Sequence, residues 1–297
     1  MPRAIGVLAA EHIAVGLVDD NQIVGAIHRY PEQGKETDYL EVMPAEDIVE
    51  RIAQQIESAA QGQAIEIVGV GFPGIIKDGV VENSPNLPQV KGQDLRTALT
   101  YLLQQHGISA AVHILNDADA VAAGVAATRG HLDKLIRVWT LGSGIGFGRY
   151  PHGDGVWEGG HTVVTLDAKE NLCRCGGKGH LEGIMGHRAM RLRFLDLEPE
   201  EVFEQAQAGD SRCSEFVELW HRALAAATAT SIHLDGPGKF FISGPNARFI
   251  QIGRLAMALH GMVKMSPLQG SSLEVISTSD EIAIIGAAVS AEQTGGG

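Results

Sequence analysis

The sequence predicts an α/β protein of two related lobes with a cleft between them. Three observations carry that expectation. Short apolar runs rich in β-branched residues alternate with segments whose apolar residues recur at helical spacing. A strand–turn–strand opening at residue 4 is echoed at residue 137. The chain has 297 residues, 44% of them apolar, enough for a large core that usually divides in two. Clefts between such lobes are where ligands usually bind.

AIGVLAA, IAVGLV and IVGAIHRY read as three strands, the second and third joined by the turn chemistry of DDNQ. AEDIVERIAQQIESAA places Ile48, Ile52, Ile56 and Ala59 on one helical stripe. IEIVGVGFPG is a buried strand closed by Pro-Gly, and IIKDGVVE is a hairpin turning at Asp78-Gly79. The helix DLRTALTYLLQQH, the strand AVHIL and the small-residue helix DADAVAAGVAATR follow. The pattern then restarts with the strand RVWTL, the glycine turn GSGIG and the strand GFGRY. Helices are expected near 183–195, 211–234, 247–260 and 281–292, with the strands KFFIS and LEVIS among them. The closing TGGG reads as disordered. The expected division is a small lobe over 1–115 and a large lobe over 116–280 that holds a cysteine loop. The final helix, 281–297, returns to the small lobe.

A net charge of -13, spread along the chain, lacks the basic footprint of a nucleic-acid partner. MPRAIGVLAAEH is too short an apolar run for a leader or a membrane span. Three cysteines in so long a chain argue against a disulfide framework and for a reducing cytoplasm. Cys213 reads as a small core residue.

Three stretches can carry chemistry. In LNDADA, Asn116 and Asp117 fall where a strand ends and a helix begins. A carboxylate there is stabilised as the anion and suited to accept a proton from a substrate hydroxyl. An ordinary N-cap is the competing account. In LGSGIGFG, Gly142, Ser143, Gly144 and Gly146 let backbone N–H groups approach phosphate oxygens. A hairpin turn needs no ligand, however, and the strand that follows excludes a Rossmann reading. The third stretch couples His161 to LCRCGGKGH. His161, Cys173, Cys175 and His180 satisfy a tetrahedral Zn²⁺ site, with glycines permitting the sharp loop. A Cys173–Cys175 disulfide would be strained; a solvated loop is the other alternative. His152 and His187 are spare candidates.

In order and spacing, ND, GSGIG, ExxH, CxCGxxGH and LE resemble the ROK family of sugar kinases and sugar-responsive repressors. The similarity runs from AIGVLAAEHIAVGLVD through VGFPGIIKDGVVENSPNLP to SDEIAIIGAAVSA. The resemblance implies an actin-like (RNase H-like) pair of lobes. Asp117 matches the base that deprotonates the sugar hydroxyl. Asn116, Glu158, His161 and Glu182 match sugar-hydroxyl ligands, and the loops at Gly74 and Asn86 complete the pocket. His161 would serve zinc and sugar together, so the metal orients a residue touching the sugar. Family members commonly have a third Cys where His180 stands. The resemblance implies ATP with Mg²⁺, the glycine turn together with Ser243 and Gly244 as the nucleotide side, and a homodimer. Repressor members carry a helix-turn-helix ahead of the first strand; a strand beginning near Ala4 leaves no room for one.

One departure matters. Family kinases open with Asp-x-Gly-Gly-Thr, which cradles ATP phosphates and helps place Mg²⁺. Here Val7, Leu8, Ala9, Ala10 and Glu11 stand instead. The alanines are expected to resist angles that glycine permits, and Glu11 to repel a γ-phosphate. Two functions are therefore expected: an ATP-dependent, glucokinase-like hexose kinase, or a non-catalytic sugar-binding protein that has lost part of its phosphate site.

Overall fold

The computed structural model describes residues 3–32, 39–152, 155 and 158–295. The chain forms two compact units, one of residues 1–136, 148–156 and 279–297, the other of 137–147 and 157–278.

The first unit begins with an antiparallel meander, β1 (Ala4–Ala9), β2 (Ile13–Asp19) and β3 (Gln22–Tyr30). Helix α1 (Ala45–Ala60) follows, then β4 (Ile67–Phe72), which lies parallel to β1. The small hairpin β5 (Ile75–Lys77) and β6 (Val80–Asn83) turns at Asp78 and Gly79, with φ of 52° and 84°, the two positive angles of a type I′ turn. Helix α2 (Leu95–Gln105), strand β7 (Ala111–Asn116) and helix α3 (Asp117–Thr128) complete the run, and the sheet order is β3-β2-β1-β4-β7. Alternation along β1 decides its two faces. Ile5 and Val7 join the core formed with Ile48, Ile52 and Leu99 of α1 and α2, whereas Ala4 packs with Ile284 and Ala288. Those residues belong to the last helix, α9 (Asp280–Gly295), which runs into the closing TGGG that was expected to be disordered. Gly296 and Gly297 lie outside the described residues.

Gly16, Gly6 and Gly69 are cross-strand partners and form a row beneath α9. A Cβ at Gly6 or Gly69 would stand 1.9 Å from the carbonyl oxygen of Ile284 or Ala287. The helix therefore rests directly on the sheet backbone. Gly69→Ala is expected to destabilise the fold by about 3 kcal/mol, read as a lower urea midpoint, because neither backbone can yield. An unchanged midpoint would show that α9 does not lie on this row.

The second unit repeats the opening with β8 (Ile136–Leu141) and β9 (Ile145–Tyr150), the latter passing into the first unit at Gly148. Helices α4 (Glu182–Met185) and α5 (His187–Arg193) come next, followed by α6 (Pro199–Gln207) and α7 (Ser211–Asp235). Strand β10 (Lys239–Ser243), helix α8 (Ile252–Met262) and strand β11 (Ser272–Val275) finish it, in the order β11-β10-β8-β9. A leading hairpin flanked by later strands thus occurs in both sheets. Trp139, Met190, Phe216, Trp220 and Phe240 anchor the core, and Cys213 is buried in it.

Three expectations are corrected and one helix is added. The helix near 183–195 breaks at Gly186, whose extended ψ of 142° separates α4 from α5. The helix near 247–260 starts at Ile252, after a 3₁₀ turn over Pro245–Phe249. Helix α6 was not anticipated, although Glu198 and Glu201 form a capping box around Pro199. Helix α3 lies in the first unit, so the division falls after Ile136 rather than at residue 115.

Candidate active site and metal centre

In the first unit, β7 ends at Asn116, opposite Phe72 at the end of β4. Asn116 is the N-cap of α3. Its Oδ1 accepts from Ala118 N (2.9 Å) and Asp119 N (3.3 Å), and its Nδ2 donates to Gly74 O (3.0 Å). Asn116 thereby ties the Gly74 loop to the start of the helix. Gly74 holds a φ of 110° and lies so close to Asn83 O (2.3 Å from an added Cβ) that no other residue fits. Asp117 follows as the first helical residue, its Oδ1 accepting from Ala118 N at 2.9 Å. Burial raises its pKa, and the backbone N–H bonds oppose that only in part. Desolvation therefore outweighs the helix N-terminus here. Asn86 sits near this loop in sequence and is half-buried.

The same turn holds a residue that sequence reasoning missed. Asp119 accepts the backbone N–H of Arg149 at 2.8 Å. Burial first, and the Asp117 charge less strongly, push its pKa up to about 7, against the Arg149 hydrogen bond and guanidinium. A proton is held more tightly in the folded chain than in the unfolded one, whose value is near 3.8. The stability that this proton contributes is complete below the lower value and lost as pH rises through the upper one. Asp119→Asn, which stays neutral, is expected to gain on the wild type between about pH 4 and 7 and then level off. At pH 8 the gain is on the order of 2–4 kcal/mol, read by urea unfolding. A gain independent of pH would remove this account.

The altered turn, Ala9 to His12, is a closed hairpin tip. Ala9 pairs with Ile13, and Ala10 N donates to His12 O at 3.1 Å. Positive φ among described non-glycine residues falls at Asp20, Asn21, Gln61 and Asp78, so neither alanine adopts the left-handed angles that glycine permits. Val7 is fully buried in the apolar core. His12 Nε2 lies 3.1 Å from Asp280 Oδ1, and Arg29 Nε donates to Asp280 Oδ2 at 2.8 Å, tethering the tip to α9. The hydrogen bond to Asp280 raises the His12 pKa.

In the second unit the glycine turn closes through Gly142 N donating to Gly144 O at 3.0 Å. Gly142 O accepts from Asn246 Nδ2 (3.2 Å) and from His187 N (3.0 Å). Gly244, at a φ of 96°, packs on Leu141, where a Cβ would lie 2.4 Å from the carbonyl oxygen. Ser243 and Gly244 thus stand beside the Gly142–Gly146 turn that includes Ser143. A separate cavity of about 320 Å³, lined by Ile232, Leu259, Val263 and Leu273, involves none of the expected residues.

The cysteine loop folds back on a 3₁₀ turn over Gly159–His161. Val164 N donates to Gly179 O (2.8 Å) and Leu181 N to Thr162 O (3.0 Å), bringing His180 against His161. Their Nδ1 atoms are 3.3 Å apart; Cys173 Sγ is 3.4 Å from His161 Nδ1 and from Cys175 Sγ, and Cys175 Sγ is 3.2 Å from His180 Nδ1. Four donors around zinc at ordinary bond lengths would be separated by roughly 3.3–3.8 Å. The donor set fits such an ion, in type and in spacing. Among the described residues this is the grouping of His, Cys and carboxylates that could hold a metal. His152 bonds Ser290 instead.

Glu158, His161 and Glu182 gather around this loop. His161 Nε2, across the ring from the Nδ1 that faces Cys173 and His180, is 3.7 Å from Glu158 Oε2. Glu182, first residue of α4, lies 3.5 Å from Cys173 Sγ and accepts Ile145 N at 3.1 Å. Trp157, in the same WEGGHT stretch, is outside the described residues.

The chain has known relatives. The ROK family model matches residues 6–293. A glucokinase of Pyrobaculum calidifontis is 31% identical over 257 residues, covering 81% of this chain and 83% of the relative. The ROK hexokinase of Thermus thermophilus superposes with a TM-score of 0.77 at 24% identity, over 99% of this chain and 100% of that one. A ROK glucokinase of Streptomyces griseus, solved with glucose and AMPPNP, gives 0.71 at 22% identity, over 98% and 99%. With two actin-like α/β units and a family match over nearly its whole length, this chain belongs to the ROK family and falls with its kinase branch.

Proposed function

We propose that the protein is an ATP-dependent hexose kinase of glucokinase type with Asp117 as general base. The observation that carries this reading is the setting of Asp117: a partly buried carboxylate, at the carboxyl end of a strand, whose proton affinity burial has raised. The glucokinases among its relatives, one solved with glucose and a nucleotide analogue, support the substrate class. Asp117 takes the hydroxyl proton as the sugar oxygen bonds to the γ-phosphorus, and the bond from that phosphorus to the bridging oxygen breaks to release ADP. Glu158, His161 and Glu182 serve as hydroxyl ligands, as do the loops at Gly74 and Asn86. Asn116 acts through its cap and its bond to Gly74. The Gly142–Gly146 turn and Ser243-Gly244 present backbone N–H groups to the nucleotide.

Zn²⁺ held by His161, Cys173, Cys175 and His180 would fix the His161 ring. Mg²⁺ supplies charge neutralisation when it arrives with ATP; the first turn offers only the exposed Glu11 as a carboxylate, so no protein ligand is assigned to it. The test is sugar-dependent ADP release over a panel of hexoses and N-acetylhexosamines, with polyphosphate as alternative donor. Absence of turnover with every pair would refute the kinase.

A second reading, a sugar-binding protein without turnover, is favoured by the first turn alone, where Val7, Ala9, Ala10 and Glu11 replace the phosphate cradle. It requires sugar binding by calorimetry with no affinity for Mg·ATP. Tight nucleotide binding would remove it.

A further inference from the structure

We propose that Asp119 is a positioning residue for the reaction, fixing Asp117 by tying the first turn of α3 to β9 and governing, through its own charge, how strongly Asp117 holds a proton. The inference rests on the reading of Asp117 as the base.

The geometry has three parts. Asp119 accepts the Arg149 backbone N–H at 2.8 Å, just inside the point where β9 enters the first unit. Gly148, the preceding residue, lies so close to the helix that a Cβ would be 1.8 Å from Ala118 O and 2.9 Å from Asp119 N. The strand backbone is therefore seated on the turn that carries Asp117. Finally, Asn116 caps Ala118 and Asp119 together, so all the residues of this turn are held from both ends.

Residues two apart do not face each other on a helix, so the carboxylates share no proton. They act on each other through space, in surroundings where burial weakens screening. The charged groups facing Asp119 are Asp117 on its own helix and Arg149 on β9. Asp117 raises the proton affinity of Asp119, which keeps its own proton until about neutral pH. Above that point the new negative charge makes Asp117 a stronger base. Below it, protonation of Asp117 by the sugar hydroxyl lowers the hold of Asp119 on its proton by the same interaction, since the coupling is reciprocal.

The test is carboxyl ¹³C NMR titration of aspartate-labelled protein, wild type and Asp117→Asn, beside pH–rate profiles of wild type and Asp119→Asn. Asp119 is expected to titrate near neutrality in the wild type and about one pH unit lower in Asp117→Asn. The wild-type profile is expected to rise through a second step near neutrality that Asp119→Asn lacks. A merely structural tie would move neither. An Asp119 midpoint unmoved by Asp117→Asn, or a second step surviving Asp119→Asn, overturns the proposal. Carboxyl titration needs no turnover, so an inactive wild type counts against the kinase reading alone.

Discussion

Asp117→Asn is expected to lower sugar-dependent ADP formation by about 10²–10⁴-fold, the usual contribution of a positioned general base. Sugar affinity, read by calorimetry, is expected to stay close to that of the wild type. The substitution is nearly isosteric, and its amide oxygen can still accept Ala118 N, the bond that Asp117 Oδ1 makes at 2.9 Å. What it removes is the capacity to take up a proton. The pH dependence gives a second signature. A base must be ionised, so the rate falls as pH drops through its pKa; burial raises that pKa and moves the fall to higher pH than an ordinary Asp would give. The residual rate of the variant should have lost this limb. Activity within tenfold of the wild type, with the acid limb intact, would mean that some other group accepts the proton.

Much of the site was legible because its signals are local. CxC with a histidine at each side can be read from spacing, and the ND pair from its place between an apolar run and a small-residue helix. Both hairpin-led sheets were legible from periodicity alone. What escaped depends on distant partners. Helix α3 carries Gly124, where a Cβ would lie 1.8 Å from Ile282 O, so α3 belongs with a helix more than 150 residues further on, and nothing near residue 117 announces it. That is why the division was placed at 115 and not after Ile136. Asp119 escaped for a different reason. An acid at a helix start usually needs no explanation beyond the helix dipole, and its value here comes from Arg149 and from burial.

Removal of Cys175, one of the four proposed metal ligands, provides the sharpest separation of structure from chemistry in the second unit. Cys175 is exposed, whereas Cys173 is buried, so Cys175→Ala deletes a donor with the smaller packing loss. The variant is expected to hold far less than one zinc per chain by elemental analysis. It should also unfold at lower urea concentration, because ion binding to a site absent from the unfolded chain is folding free energy. The kinetic consequence should fall on the sugar. His161 turns Nδ1 toward Cys173 and Nε2 toward Glu158, so loss of the proposed ion would free the ring expected to orient this edge of the pocket. A KM for sugar raised by roughly 10–100-fold with a smaller change in kcat is the expected pattern, the range seen when a supporting shell is lost. The reverse pattern, kcat lost at unchanged KM, would make the ion an electrophile. The donor set argues against that reversal. Two thiolates and two imidazoles complete a tetrahedral shell, and a zinc with four protein donors has no position left for a substrate oxygen.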